Sequence, residues 1–107
     1  MRFIVFFGYT AEAKKAMVAN PGDRAAAISA LASSAGGSIE SVEFMFGSWD
    51  GFVIMNVPDS TTAAAISLAV GSTGSFAALE TRQLLSPQEF GTARRAAAGL
   101  SYTPPGG

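Results

Sequence analysis

Ile39-Glu40-Ser41-Val42-Glu43-Phe44-Met45-Phe46, then Gly47-Ser48-Trp49-Asp50-Gly51, then Phe52-Val53-Ile54-Met55-Asn56-Val57: two apolar runs flank a glycine-bounded pentapeptide. Runs rich in β-branched and aromatic residues, joined by a short glycine-containing segment, predict a β-hairpin. A loop of Gly47–Asp50 sets Phe44 opposite Val53 and Val42 opposite Met55, so one face is wholly apolar. The other face then receives Glu43 opposite Ile54, Met45 opposite Phe52 and Ser41 opposite Asn56. A slip of one residue would mix the two sets, so the pattern specifies its own parity.

Working outward, Arg2–Tyr9 (RFIVFFGY) is a short apolar run that predicts a buried strand. Thr10 is placed to cap a helix over 11–18, with Glu12 in its first turn. Asn20-Pro21-Gly22-Asp23 breaks the chain, and a second helix follows to about residue 35. Ala25, Ile28, Leu31, Ala32 and Ala35 form its apolar stripe, and Gly36-Gly37 ends it. After the hairpin, Pro58-Asp59-Ser60 opens a helix carrying Ala65, Ile66, Ala69 and Val70. Phe76–Leu85 is a fourth strand. Ser86-Pro87-Gln88-Glu89 has the form of a capping box with proline at the first helical position. The expected division is a domain over residues 1–99 and a disordered tail over 100–107, SYTPPGG being its visible signature.

The order β-α-β-β-α-β-α predicts an α+β fold: a four-stranded, ferredoxin-like split βαβ sheet with helices on one face. That leaves the opposite face open. Alternation puts Arg2, Ile4, Phe6, Glu43, Met45, Phe52, Ile54, Asn56, Phe76, Glu80 and Arg82 on it. Such a face is too apolar for water and too polar for an ordinary core. A second sheet packed over it resolves both problems, as in a dimeric α/β-barrel-like assembly.

Composition agrees with a self-associating chain. Only 14% of the 107 residues are charged and 49% are hydrophobic, against about 25% charged in typical soluble domains. The net charge is −1, with no basic cluster to neutralise phosphates, so nucleic acid is not an expected partner. There is no cysteine and no histidine, which removes the commonest nucleophile, general base and metal ligands. No metal and no cofactor are expected. No apolar run approaches the ~18 residues of a membrane span, and a cytoplasmic location is the expectation.

At Gly47-Ser48-Trp49-Asp50 the chain resembles the GYD domain family, small bacterial proteins named for a Gly-x-Tyr-Asp stretch at this hairpin. Tyr9-Thr10, Gly36-Gly37, Asp50-Gly51-Phe52-Val53-Ile54, Glu80-Thr81 and Ser86-Pro87 agree with the family in order. Trp49 stands where the family usually has tyrosine. The resemblance, over about residues 2–98, implies a ferredoxin-like fold related to dimeric α/β barrels. It implies no settled activity.

Each candidate site residue has a structural and a functional reading. Asp50 either takes backbone hydrogen bonds within its loop or presents a carboxylate at a pocket mouth walled by Trp49. Glu43 and Glu80, beside Arg82 and Arg2, form either an ion-pair network at an interface or a general acid–base pair. Tyr9 is either a core cap with a wet hydroxyl or a phenolic donor. Trp49, Asp50, Tyr9, Phe52, Asn56 and Arg82 are the expected ligand contacts, and Glu43, Glu80, Asp50 and Tyr9 the catalytic candidates. The expected function is a homo-oligomeric domain that binds a small, mostly apolar ligand or serves as a structural oligomer. The alternative is a cofactor-free isomerase or monooxygenase of the dimeric α/β-barrel type.

Overall fold

A computed structural model of the chain describes every residue from Met1 to Gly107. Its elements are β1 (Arg2–Tyr9), α1 (Ala11–Ala19), α2 (Arg24–Ser34), β2 (Ser38–Phe44), β3 (Gly51–Asn56), α3 (Ser60–Gly71), β4 (Phe76–Leu84) and α4 (Pro87–Ala97). Each helix starts at a residue able to cap it. The Ala13 N–H donates to Thr10 Oγ1 (3.1 Å), the Ala26 N–H to Asp23 Oδ1 (3.0 Å) and the Thr62 N–H to Asp59 Oδ1 (2.8 Å). At Ser86 the capping box closes in both directions, with Glu89 Oε1 accepting from the Ser86 N–H at 2.9 Å. Gly36, at φ +78°, turns the chain out of α2 in a conformation that side chains other than glycine rarely adopt.

The strands form one sheet in the order β2-β3-β1-β4, and every neighbouring pair is antiparallel. This is the ferredoxin-like arrangement that the element order predicts. The core lies on one side, where Phe3, Phe7, Tyr9, Val53, Met55, Val57 and Ala63 are buried together. Ala13 and Met17 of α1, Ile28 of α2 and Ile66 of α3 pack on that cluster. Burying each large apolar side chain there contributes about 1.5–3 kcal/mol.

Three details differ from the sequence expectation. The hairpin register is shifted by two residues, with Phe44 opposite Gly51, Glu43 opposite Phe52, Val42 opposite Val53 and Ser41 opposite Ile54. Met45 and Phe46 therefore belong to the loop, and Phe46 is 99% exposed. A two-residue shift preserves the facing of every side chain, so alternation cannot detect it. Glu40 is the extra residue of a bulge between Ile39 and Ser41. Ala77 is skipped likewise where β4 pairs with the end of β1, since Gly8 faces Ala78 while Tyr9 faces Phe76. A bulge reverses alternation beyond it. Phe76 consequently lies with the core, stacked on Tyr9 at 5.0 Å between ring centroids, and not on the open face.

Helix α4 departs from the body. All its residues except Gly91 are exposed, Phe90 among them at 61%. The longest dimension reaches 57 Å and the radius of gyration 17.4 Å, where a compact chain of this length has about 13 Å. The accessible surface is 7171 Å², against about 5,600 Å² for a folded monomer of this mass. Residues 98–107, beyond α4, contain no helix or strand.

Candidate functional site

Helices α2 and α3 are built largely of alanine: Ala25, Ala26, Ala27, Ala30 and Ala32 in one, Ala63, Ala64, Ala65 and Ala69 in the other. Alanine favours the helix but reaches little towards the sheet below. Three of these alanines, Ala27, Ala32 and Ala69, line a cavity of about 310 Å³ between the two helices and the sheet. Its floor is Val5, Phe7, Val53, Met55 and Leu79, and its walls include Ile28, Leu31, Ile66 and Val70. Of seventeen lining residues fourteen are hydrophobic; the others are Arg24, Thr73 and Ser75. No carboxylate lines it.

Asp50 sits at the end of the sheet where β1 finishes. Its Oδ2 accepts the Tyr9 N–H at 2.8 Å and lies 3.5 Å from Lys14 Nζ, while its own N–H donates to the Phe7 carbonyl at 2.8 Å. One carboxylate thus ties the hairpin loop to β1 and α1. Gly51 follows it because a Cβ there would lie 2.6 Å from the Glu43 carbonyl oxygen and would collide with the Phe7 ring. Tyr9 is buried, with its ring edge-on to Phe7 at 5.3 Å, and its hydroxyl has no protein partner. No buried side-chain nitrogen or oxygen lacks a partner, so that hydroxyl reaches solvent.

Trp49 turns the other way. It leans on Phe6 across the open face (5.9 Å), and Phe6 in turn meets Phe52 (6.1 Å). Around this aromatic group lie two separate ion pairs. Arg82 donates to Glu80 Oε1 at 2.7 Å. Arg2 pairs with Glu40 at 2.9 Å, and the same carboxylate accepts from Asn56 Nδ2 at 3.0 Å. The hydrogen bond to Glu40, and then its charge, raise the pKa of the Arg2 guanidinium above its ordinary value. Both pairs are open to water in the single chain, with Arg82 67% exposed, and as exposed pairs they add little to stability. Glu43 is exposed and has no ion-pair partner.

The expected site residues therefore divide. Trp49, Phe52, Asn56, Glu80 and Arg82 share the open face, whereas Tyr9 and Asp50 close one end of the sheet. Sequence reading placed an arginine–glutamate pair on that face, as found for Arg82 with Glu80, but missed Glu40, which only the bulge brings to Arg2. It also missed the cavity and its polar residues Arg24 and Ser75. The available signal was the run of alanines over bulky sheet residues.

The strand order and one-sided helix layer define a ferredoxin-like α+β domain. The family model of the GYD domain matches residues 3–93, and the chain belongs to the GYD domain family. No curated protein matches the chain, and no solved structure does.

Proposed function

We propose that this GYD domain binds a small, mostly apolar ligand in the cavity between α2, α3 and the sheet. The cavity itself carries the reading. Its volume is at the lower end of the range of ligand sites, and its lining is apolar with few polar groups, as such sites require. Catalysis of the isomerase or monooxygenase kind is supported less, because no acid or imidazole lines the cavity and Glu43 and Glu80 lie outside it. Titration calorimetry with 1-octanol tests the reading. Saturable binding near one molecule per chain is expected, and absence of binding overturns it.

The same reading includes a homo-oligomer. Ile4, Phe6, Phe52 and Ile54 form a half-buried apolar strip on the uncovered face, bordered by the two ion pairs. The surface in excess of a compact monomer is about 1,600 Å² per chain, twice the roughly 800 Å² that each partner of a standard interface removes from water. Exposed Phe46, Leu85, Phe90 and Leu100 extend that excess to the hairpin tip and the α4 arm. Sedimentation across a dilution series should give at least a dimer at micromolar concentration, and a monomer mass throughout overturns this part.

A further inference from the structure

The three polar residues of the cavity are not scattered. Thr73 and Ser75 belong to the connection between α3 and β4, beside the end of β1, where the Thr10 N–H donates to the Ser75 carbonyl at 2.9 Å. Helix α2 finishes at the opposite end of the sheet, where Gly36 lies against Pro58. Its eleven residues, rising about 1.5 Å each, carry Arg24 back towards the Ser75 end. One end of the cavity is therefore polar and cationic, and the remainder is hydrocarbon.

We propose that the ligand is an amphipathic acid of medium chain length, its anionic head held by Arg24 and Ser75 and its tail lying between α2, α3 and the sheet. This rests on the binding reading above and specifies its chemistry. Arg24 has no carboxylate within ion-pair distance and no hydrogen bond to the protein. Lys14, Arg2 and Arg82 each have an acidic neighbour, and the other unpaired cations, Lys15, Arg94 and Arg95, do not line the cavity. A planar guanidinium binds a carboxylate through two parallel hydrogen bonds. Ser75 Oγ is also without a partner, whereas Thr73 Oγ1 already donates to the Val70 carbonyl at 2.8 Å. The serine hydroxyl is thus a free donor in the same cavity as the arginine. Arg24 is exposed at the rim of an otherwise apolar lining, so a neutral ligand would leave its guanidinium to water and gain nothing from it; a dianionic or sugar-like one would bring polar groups into the hydrocarbon part.

Volume bounds the tail. At about 30 Å³ per water-sized unit, 310 Å³ holds about ten non-hydrogen atoms, the size of octanoate. Titration calorimetry at pH 7.5 compares sodium octanoate with 1-octanol on the wild type, Arg24→Gln and Ser75→Ala. Octanoate should bind at least ~10-fold more tightly than octanol to the wild type, as one charge-assisted contact provides. Arg24→Gln should remove that preference while leaving octanol binding unchanged, and Ser75→Ala should reduce it. Equal affinity for the two probes, or an Arg24→Gln variant that keeps the preference, overturns the acid proposal and leaves the cavity reading standing. Failure of both probes overturns both.

Discussion

The two faces of one sheet solve opposite problems with the same strands. Beneath α2 and α3 the sheet presents large residues, Phe7, Val53, Met55 and Leu79, to helices of small ones, and a gap remains. On the other face Ile4, Phe6, Phe52 and Ile54 form an apolar strip with Trp49 folded against it and ion pairs at its sides. The first is concave and apolar, suited to something small. The second is broad and half-wet, suited to another protein surface. Similar hydrophobicity therefore carries different meanings, decided by whether the opposing layer is undersized or missing.

The comparison breaks first at the open face. Ile54→Lys places a charge at the centre of the proposed interface, where an uncompensated buried charge costs about 3–5 kcal/mol. The dimer constant should weaken by roughly two to four orders of magnitude in sedimentation, while the melting of the dissociated chain changes little. Equal masses for variant and wild type would contradict the interface reading.

Phe7→Ala acts on the covered face and should do the reverse. Phe7 is 3% exposed and touches Tyr9, Phe44 and Phe76. Its truncation should cost about 3–5 kcal/mol in denaturant unfolding monitored on the dissociated chain. A loss below about 1 kcal/mol would show that this side is not the core that its burial implies.

Ala69→Leu sharpens the contrast by putting carbon into the gap itself. Leucine at this lining position should raise stability by about 1 kcal/mol, near the value of one buried methylene, and weaken octanol binding at least tenfold. Overpacking would instead destabilise by about 1–3 kcal/mol, and a melt distinguishes the two signs.

The smallest effect belongs to α4, which neither face holds. Ser86→Ala removes one half of the capping box and should cost about 1 kcal/mol of local helix stability. Amide exchange should quicken over residues 87–97 and not in the sheet. Acid should act in the same place. Hydrogen bonds with Ser86 hold the Glu89 pKa below its ordinary value. Its contribution is complete above the ordinary carboxylate range and is lost as the pH falls through the lowered value. Asp59, lowered by its hydrogen bonds with Thr62, predicts the same sign for α3.

How much of this was legible in the sequence depends on the length scale of each signal. Caps are local, and Thr10 and Ser86 announce their helices within three residues. Facing is periodic, and Ile4, Phe6, Phe52 and Ile54 are assigned correctly by alternation. The bulges at Glu40 and Ala77 are neither local nor periodic, because no glycine or proline marks them, so Phe76 was placed on the wrong face and the partner of Arg2 could not be foreseen. Asp50 could be read as a loop anchor from its turn context alone. The cavity depends on the fit of two layers distant in sequence, and its visible trace was only the smallness of alanine.

The bulge at Glu40 also bears on how the sheet ends. The order β2-β3-β1-β4 leaves β2 and β4 as its two borders, each with unpaired backbone groups along one side. On β2 the run is interrupted at Glu40 and carries Glu43, so a stranger's strand meets a kink and a carboxylate. On β4 the irregularity falls at Ala77, near its beginning, and the remaining stretch to Leu84 pairs without interruption. Protected borders use bends and charge; β2 has both, and β4 has charge at Glu80 and Arg82. The two margins therefore differ: β2 is guarded by its own distortion as well as by charge, β4 by charge alone.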